Sequence, residues 1–310
     1  MITASTWLVL AHLLPGICRA SPIYDPAVAR RMLLHSDAAY CGDDLGHGST
    51  TWTKDFSCDP CKSVDGGAVT IVGVAQGGGR DAFAYVATTD QGDTIVSFRG
   101  SVLPKNYEDD QDAVLAPWKR ADHTLVHRGF VRSYESIREQ VVTLVQKALA
   151  MTTQGVSSKV DSFVYVTGHS LGAAQSTIAA VDLAATFPSR KVVVYNFGDL
   201  RVGDKAFVAL YNTSVAASFR VVHRYDEVPQ IVPRLLYHHV PTEVWYMDDS
   251  VGNYTICNGS GEDAACQDSV PYSQLGWRDH DFYLHHAMWC CEGFLNSSAT
   301  CSFPFPNGPK

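Results

Sequence analysis

Positive charge is in short supply in this sequence: 24 Lys and Arg stand against 32 Asp and Glu, a formal net charge of −8. A chain so balanced lacks the basic footprint of a nucleic-acid binder. It also gains nothing from anionic membrane surfaces, which attract clustered Lys and Arg. Long apolar runs are missing as well. Past the first residues, no stretch approaches the roughly 18 apolar residues that span a bilayer. Cys58-Asp-Pro-Cys61 has the spacing of a redox or metal motif, but no second Cys-x-x-Cys accompanies it. No internal repeat or low-complexity linker divides the chain. Its 310 residues, 46% of them hydrophobic, suffice for one large core, so one domain is expected.

Residues 1–20 read as a signal peptide. An apolar run over 7–14 is broken by Pro15 and Gly16, and Cys18-Arg19-Ala20 offers a small-residue cleavage site. The segment before the run has no Lys or Arg. The mature chain would then start near Ser21, be secreted, and form a single domain over 21–310. Removing Cys18 from the nine cysteines leaves Cys41, Cys58, Cys61, Cys257, Cys266, Cys290, Cys291 and Cys301. An even number of thiols in an exported chain reads as disulfides. Sequons at Asn212, Asn253, Asn258 and Asn296 agree with export.

Helical spacing over 25–40 is followed by short β-rich runs at 69–75, 83–88 and 94–98, separated by Gly and Asp turns. Phe130, Tyr134, Ile137, Val141, Leu144, Val145 and Ala148 form a helical stripe over 130–150. Strands at 163–166, 192–195 and 219–223 alternate with helices at 171–187 and 205–211. That alternation predicts an α/β fold, a sheet packed on both faces. The Cys-rich end from Cys257 reads as loop.

Gly168-His169-Ser170-Leu171-Gly172 fits G-x-S-x-G, and its setting says more than the match. An apolar strand precedes it and an Ala-rich helix follows, which is the context of a nucleophile elbow. Ser170 is therefore the expected nucleophile. Its hydroxyl needs a base to take the proton and a carboxylate to orient that base, both expected downstream in the order Ser, Asp, His. The backbone N–H of Leu171, the residue after the serine, is the expected first oxyanion donor. Downstream histidines in loops are His238, His239, His280, His285 and His286.

Four motifs then occur in order: Phe98-Arg99-Gly100-Ser101, Gly168-His169-Ser170-Leu171-Gly172-Ala173, Gly198-Asp199-Leu200-Arg201-Val202-Gly203 and Tyr225-Asp226-Glu227-Val228-Pro229. Together they resemble the fungal (class 3) lipase family, which includes triacylglycerol lipases and feruloyl esterases, over most of 25–291. The resemblance implies an α/β-hydrolase fold with a mixed, mostly parallel central sheet. It implies Asp226 as triad acid, with Glu227 pointing elsewhere, and Ser101 as second oxyanion donor through its N–H, with its hydroxyl a further candidate. Asp279-His280-Asp281-Phe282-Tyr283 resembles the family's Asp-His-x-x-Tyr pattern and makes His280 the base. The family continues with Phe-Gly where this chain has Leu284-His285-His286, so His285 is the alternative. His238 and His239 are expected in a surface stretch, His169 in packing or hydrogen bonding, and Arg99 in a structural role.

The resemblance also implies a lid, here about 102–118. Lys105 to Asp112 is mostly charged, in contrast to an amphipathic interfacial helix; it is expected to act as a weakly interfacial lid or to be a solvated loop. For the disulfides the resemblance implies Cys58–Cys61, Cys257–Cys266, and Cys41 with Cys290 or Cys291, leaving Cys301 for the other. The expected activity is hydrolysis of carboxylic esters through an acyl-enzyme, most simply a triacylglycerol lipase or esterase. No metal or organic cofactor is required. The expected partners are an ester substrate and a lipid–water interface, with no nucleic acid and a monomeric chain. A feruloyl or acetyl esterase acting on plant cell-wall polymers is the rival enzyme; a secreted non-catalytic protein on a hydrolase scaffold is the rival of another class.

Overall fold

The computed structural model describes residues 22–41, 58–64, 69–77, 79–102, 104–154 and 162–289. The expected signal peptide, Asn296, Cys290, Cys291 and Cys301 lie outside them.

Eight strands form one sheet: β1 (Val69–Gly77), β2 (Ala82–Thr89), β3 (Thr94–Phe98), then β6 (Phe163–His169), β7 (Lys191–Phe197), β8 (Ala217–His223), β9 (Glu243–Tyr246) and β10 (Tyr254–Ile256). These neighbour one another in that order. The two strands omitted from it, β4 (Leu115–Trp118) and β5 (Ala121–His127), make a separate hairpin. Pairing is parallel from β3 through β9 and antiparallel at β1–β2, β2–β3 and β9–β10. The mixed, mostly parallel sheet that the family resemblance implies is the observed one.

Side chains leave successive strand residues on opposite faces, and both faces here are apolar. On β6, Val164 and Val166 enter one core while Phe163 and Tyr165 enter the other; on β7, Val192 and Val194 oppose Val193, Tyr195 and Phe197. The first face is covered by helices Arg128–Gln154, Leu171–Thr186 and Lys205–Ser214, and the second by helix Pro26–Ala38. The stripe read from the sequence is the buried one: Phe130, Tyr134, Ile137, Val141, Val145 and Ala148 are all buried. Burial contributes about 1.5–3 kcal/mol for each large apolar side chain, enough to outweigh the weak helix propensity of Val141, Val142 and Thr143. Asp25 caps the first helix by accepting from the Ala27 N–H at 2.8 Å, with Pro26 opening it; Asp204 likewise caps Lys205–Ser214 through the Phe207 N–H at 2.8 Å.

Cys58–Cys61 and Cys257–Cys266 are bonded as expected, and Cys41 is disulfide-bonded too. The charged run after Ser101 is not a loop. Pro104–Gln111 is a helix that packs against Arg128–Gln154, and its described polar side chains bond to the turn at 80–81 and to Ser101 and Val102. Asp109 is buried and pairs with Arg80 at 2.9 Å; buried Asn106 accepts from the Val102 N–H and donates to the carbonyls of Arg80 and Asp81. No described helix is long and apolar enough to cross a membrane. What matters for chemistry is that Ser101, Ser170 and Asp226 follow the C-terminal ends of β3, β6 and β8, the edge where open α/β sheets carry their sites.

Candidate active site

Ser170 stands between β6 and helix Leu171–Thr186 with φ 59° and ψ −130°, a left-handed backbone that is rare for a residue with a side chain. Its neighbours explain how the turn closes. A Cβ on Gly168 would lie 2.2 Å from the Gly172 carbonyl oxygen, and a Cβ on Gly172 would lie 2.3 Å from that of Phe98. Nothing larger than glycine fits at either position, which is why the motif has glycine two residues either side of the serine. The Ser170 N–H donates to the Phe197 carbonyl at 3.0 Å, and its own carbonyl accepts from Ala173 and Ala174 at 2.9 and 3.2 Å. Leu171 opens the helix, so its N–H is among the first-turn donors without an intrahelical acceptor, at the positive end of the dipole.

Asp226 and His280 meet in the interior, both fully buried. One carboxylate oxygen, Oδ2, accepts from His280 Nδ1 at 3.0 Å and from the Tyr283 hydroxyl through a short contact; the other accepts from the Val228 N–H at 2.9 Å. With its proton on Nδ1, the His280 ring presents a bare Nε2, which has no partner among the described residues. Burial, followed by the Asp226 charge, pushes the Tyr283 phenol well above its ordinary range, so it stays a donor. His280 lies on a 3-10 turn, Trp277–Asp281, and Gly276 at the head of that turn donates to the Tyr225 carbonyl at 2.8 Å. The ring fits closely against the sheet edge. A Cβ on Gly198 (φ +60°) would fall 2.6 Å from His280 Cε1.

His169 links the serine's turn to the histidine. Its ring stacks on that of His280 at 4.3 Å, its Nε2 donates to the His280 carbonyl at 2.8 Å, and its Nδ1 accepts from the Tyr40 hydroxyl at 2.7 Å. Burial, reinforced by the neighbouring His280, holds its pKa well below the ordinary value, so it is a neutral, fixed tautomer. Tyr40 in turn explains a glycine: a Cβ on Gly100 would lie 2.1 Å from the Tyr40 hydroxyl.

Ser101 is buried. Its hydroxyl donates to Asp110 Oδ2 at 2.6 Å and its carbonyl accepts from the Tyr107 hydroxyl at 2.9 Å. The hydroxyl proton is thus directed into the charged helix, which leaves the backbone N–H as the freer donor of the two. Burial pushes the Asp110 carboxyl up to about 7, against the pull of the Ser101 hydrogen bond.

The structure therefore gathers Ser101, Ser170, Leu171, Asp226 and His280 at one edge. His285 is exposed on a left-handed turn, with no carboxylate contact among the described residues, and His286 pairs with Asp37 at 2.8 Å. His238 is half-buried, but His239 is not on the surface; it is fully buried beside Arg220 and Arg201. Arg99 donates to the Asp81 carbonyl at 3.1 Å and lies over the Phe83 ring. Five contributors escaped sequence reading. Tyr283 lay inside a recognised pattern without a role. Asn106, Asp109 and Asp110 share a helix face at i, i+3 and i+4, the one signal that these polar residues point inward. Gln267, which donates to the Asp226 carbonyl, has no motif around it.

Residues 95–236 match the family model for lipase (class 3). The secreted mono- and diacylglycerol lipase 1 of Fusarium solani is 30% identical over 241 residues, 74% of this chain and 68% of that protein. The lipase of Rhizomucor miehei is 34% identical over 211 residues, 66% of this chain and 55% of that protein. Among solved structures, the Rhizomucor miehei triacylglyceride lipase superposes with a TM-score of 0.73 at 26% identity, covering 85% of this chain and 96% of its own. A triacylglycerol lipase whose catalytic centre is a serine protease triad superposes with a TM-score of 0.74 at 25% identity, covering 88% and 99%. Sequence, fold and relatives converge: the chain belongs to the class 3 lipase family and is a serine hydrolase of carboxylic esters.

Proposed function

We propose that this protein is a secreted lipase that hydrolyses acylglycerols, with Ser170, His280 and Asp226 as its triad. The observation that carries the reading is a strained, turn-borne serine at the same sheet edge as a buried Asp226–His280 dyad whose Nε2 has no partner among the described residues. In the reaction, His280 Nε2 takes the Ser170 hydroxyl proton as the oxygen bonds to the ester carbonyl carbon. Asp226 stabilises the imidazolium that results. The N–H groups of Leu171 and Ser101 hold the oxyanion, each donor lowering the barrier by about 3 kcal/mol. The tetrahedral adduct collapses, and the leaving alcohol takes the proton from His280. Water, deprotonated by His280, then releases the acid and restores Ser170.

Acylglycerols are favoured because the relatives are lipases of tri-, di- and monoacylglycerols. The polar helix Pro104–Gln111 supports a second reading, a feruloyl or acetyl esterase on soluble or polymeric esters. Secretion is supported by the apolar run at the N-terminus and the secreted Fusarium relative. Ser170→Ala should lower turnover by at least about 10⁴-fold with the fold intact, and should lose labelling by a fluorophosphonate. Full activity in that variant would refute the nucleophile. A panel of triolein, graded p-nitrophenyl esters and methyl ferulate separates the two substrate readings.

A further inference from the structure

The triad acid is held from behind as well as from its carboxylate. The Asp226 carbonyl lies in the interior, and the side-chain amide of Gln267 donates to it through a short contact. Gln267 is buried and has no freedom to leave. Its Oε1 accepts from Gln230 Nε2 at 3.1 Å, and its backbone N–H donates to Glu243 Oε1 at 3.0 Å. Glu243 is the first residue of β9 and pairs with buried Arg220 of β8 at 3.2 Å. Next to Gln267 in the chain, Cys266 is bonded to Cys257, whose own N–H donates to the Glu243 carbonyl at 3.0 Å. The disulfide loop is thus fastened to the sheet at both of its ends, and the amide it carries ends on Asp226.

We infer that Gln267 is a positioning residue for the triad: it fixes the Asp226 peptide, and through it the angle at which the carboxylate meets His280. The inference rests on the triad reading given above. The chemistry needs an amide here. The site must donate to one carbonyl and accept from Gln230 at the same time, and a buried carbonyl left without its donor costs about 1–3 kcal/mol. That cost is relieved if the Asp226 segment shifts towards another donor. The carboxylate moves with it, away from the optimal line to His280 Nδ1. Misplacement of about an ångström in a reacting group costs on the order of 10²-fold in rate.

Gln267→Met keeps length and volume and removes both polar atoms. Gln267→Glu keeps the oxygen that accepts from Gln230 and sets a second oxygen against the Asp226 carbonyl. Both are compared with wild type and Asp226→Asn on p-nitrophenyl butyrate below its solubility limit, with kcat, KM, the pH profile of kcat/KM and thermal melting. The expected result for Gln267→Met is a kcat about 10- to 100-fold lower with KM within about twofold. The acid limb should also move to lower pH, because a displaced Asp226 stabilises the His280 imidazolium less. Gln267→Glu should show the same signature with a larger loss, and it stands in if the Met variant does not fold. A lower melting temperature with kcat and acid limb unchanged in either variant overturns the inference and leaves Gln267 a purely structural residue. Full activity in Asp226→Asn overturns the triad reading itself, an outcome distinct from the first.

Discussion

At the scale of single residues, Asp110 is a buried carboxyl whose protonation bears on the fold and lies next to the proposed oxyanion residue Ser101. It sits on helix Pro104–Gln111 and receives the Ser101 hydroxyl at 2.6 Å. Its carboxyl is pushed from 3.8 up to about 7, chiefly by burial. The folded state thus binds this proton more tightly than the unfolded state does. Ionisation therefore works against the fold: stability is unaffected below the unfolded value, falls as pH rises between 3.8 and about 7, and is level above. Asp110→Asn mimics the protonated form at every pH. Its melting temperature should match wild type near pH 4 and exceed it near pH 8; a difference that does not grow with pH contradicts the assignment. The same variant should lose any inflection near 7 in the pH–rate profile that Asp110 contributes.

At the scale of elements, what could be read from the sequence depended on what holds each element. Strands β3, β6, β7 and β8 are held by apolar burial on both faces, and their Val, Ile and Phe runs announce them. Helix Arg128–Gln154 announces itself by its stripe. The hairpin β4–β5 does not: Pro117 interrupts one strand, and His123 takes a left-handed turn within the other. Helix Pro104–Gln111 is hidden for the opposite reason. Its inward face is Asn106, Asp109 and Asp110, so hydrophobic periodicity is silent where hydrogen bonds do the holding. That construction has a consequence for interfaces. Opening this helix would expose carboxylates and an amide in place of a broad apolar face, and such a surface gains little by docking on oil. If this helix covers the site, activity on a short-chain ester should therefore rise by less than about tenfold across the solubility limit; a steeper jump would contradict a polar cover.

At the scale of the molecule, the sheet edge is what the motifs were describing. Four short sequence signatures, spread from Phe98 to Pro229, resolve into one rim because β3, β6, β7 and β8 run parallel and end together. The proposed base could be picked out only through resemblance, since twelve histidines offer no local sign of which one faces a carboxylate. The support behind Asp226 was not legible at all, because Gln267 meets it across 41 residues. Whole-molecule charge also sets a preference. With a net charge of −8, the protein should work more slowly on emulsions doped with anionic lipid than on neutral ones. Added salt should narrow the gap, as screening shortens to about 8 Å at 0.15 M. A rate increased by anionic lipid at low salt would indicate a local basic patch that overrides the total.

The hydrogen bond from His169 to the His280 carbonyl has a practical meaning for anyone redesigning this enzyme. Position 169 looks, on paper, like part of the serine's neighbourhood, yet its ring carries the backbone and one face of the proposed base. A variant library at that position would search over where the histidine sits. Gains made there should reappear unchanged when Ser170 is exchanged for another nucleophile.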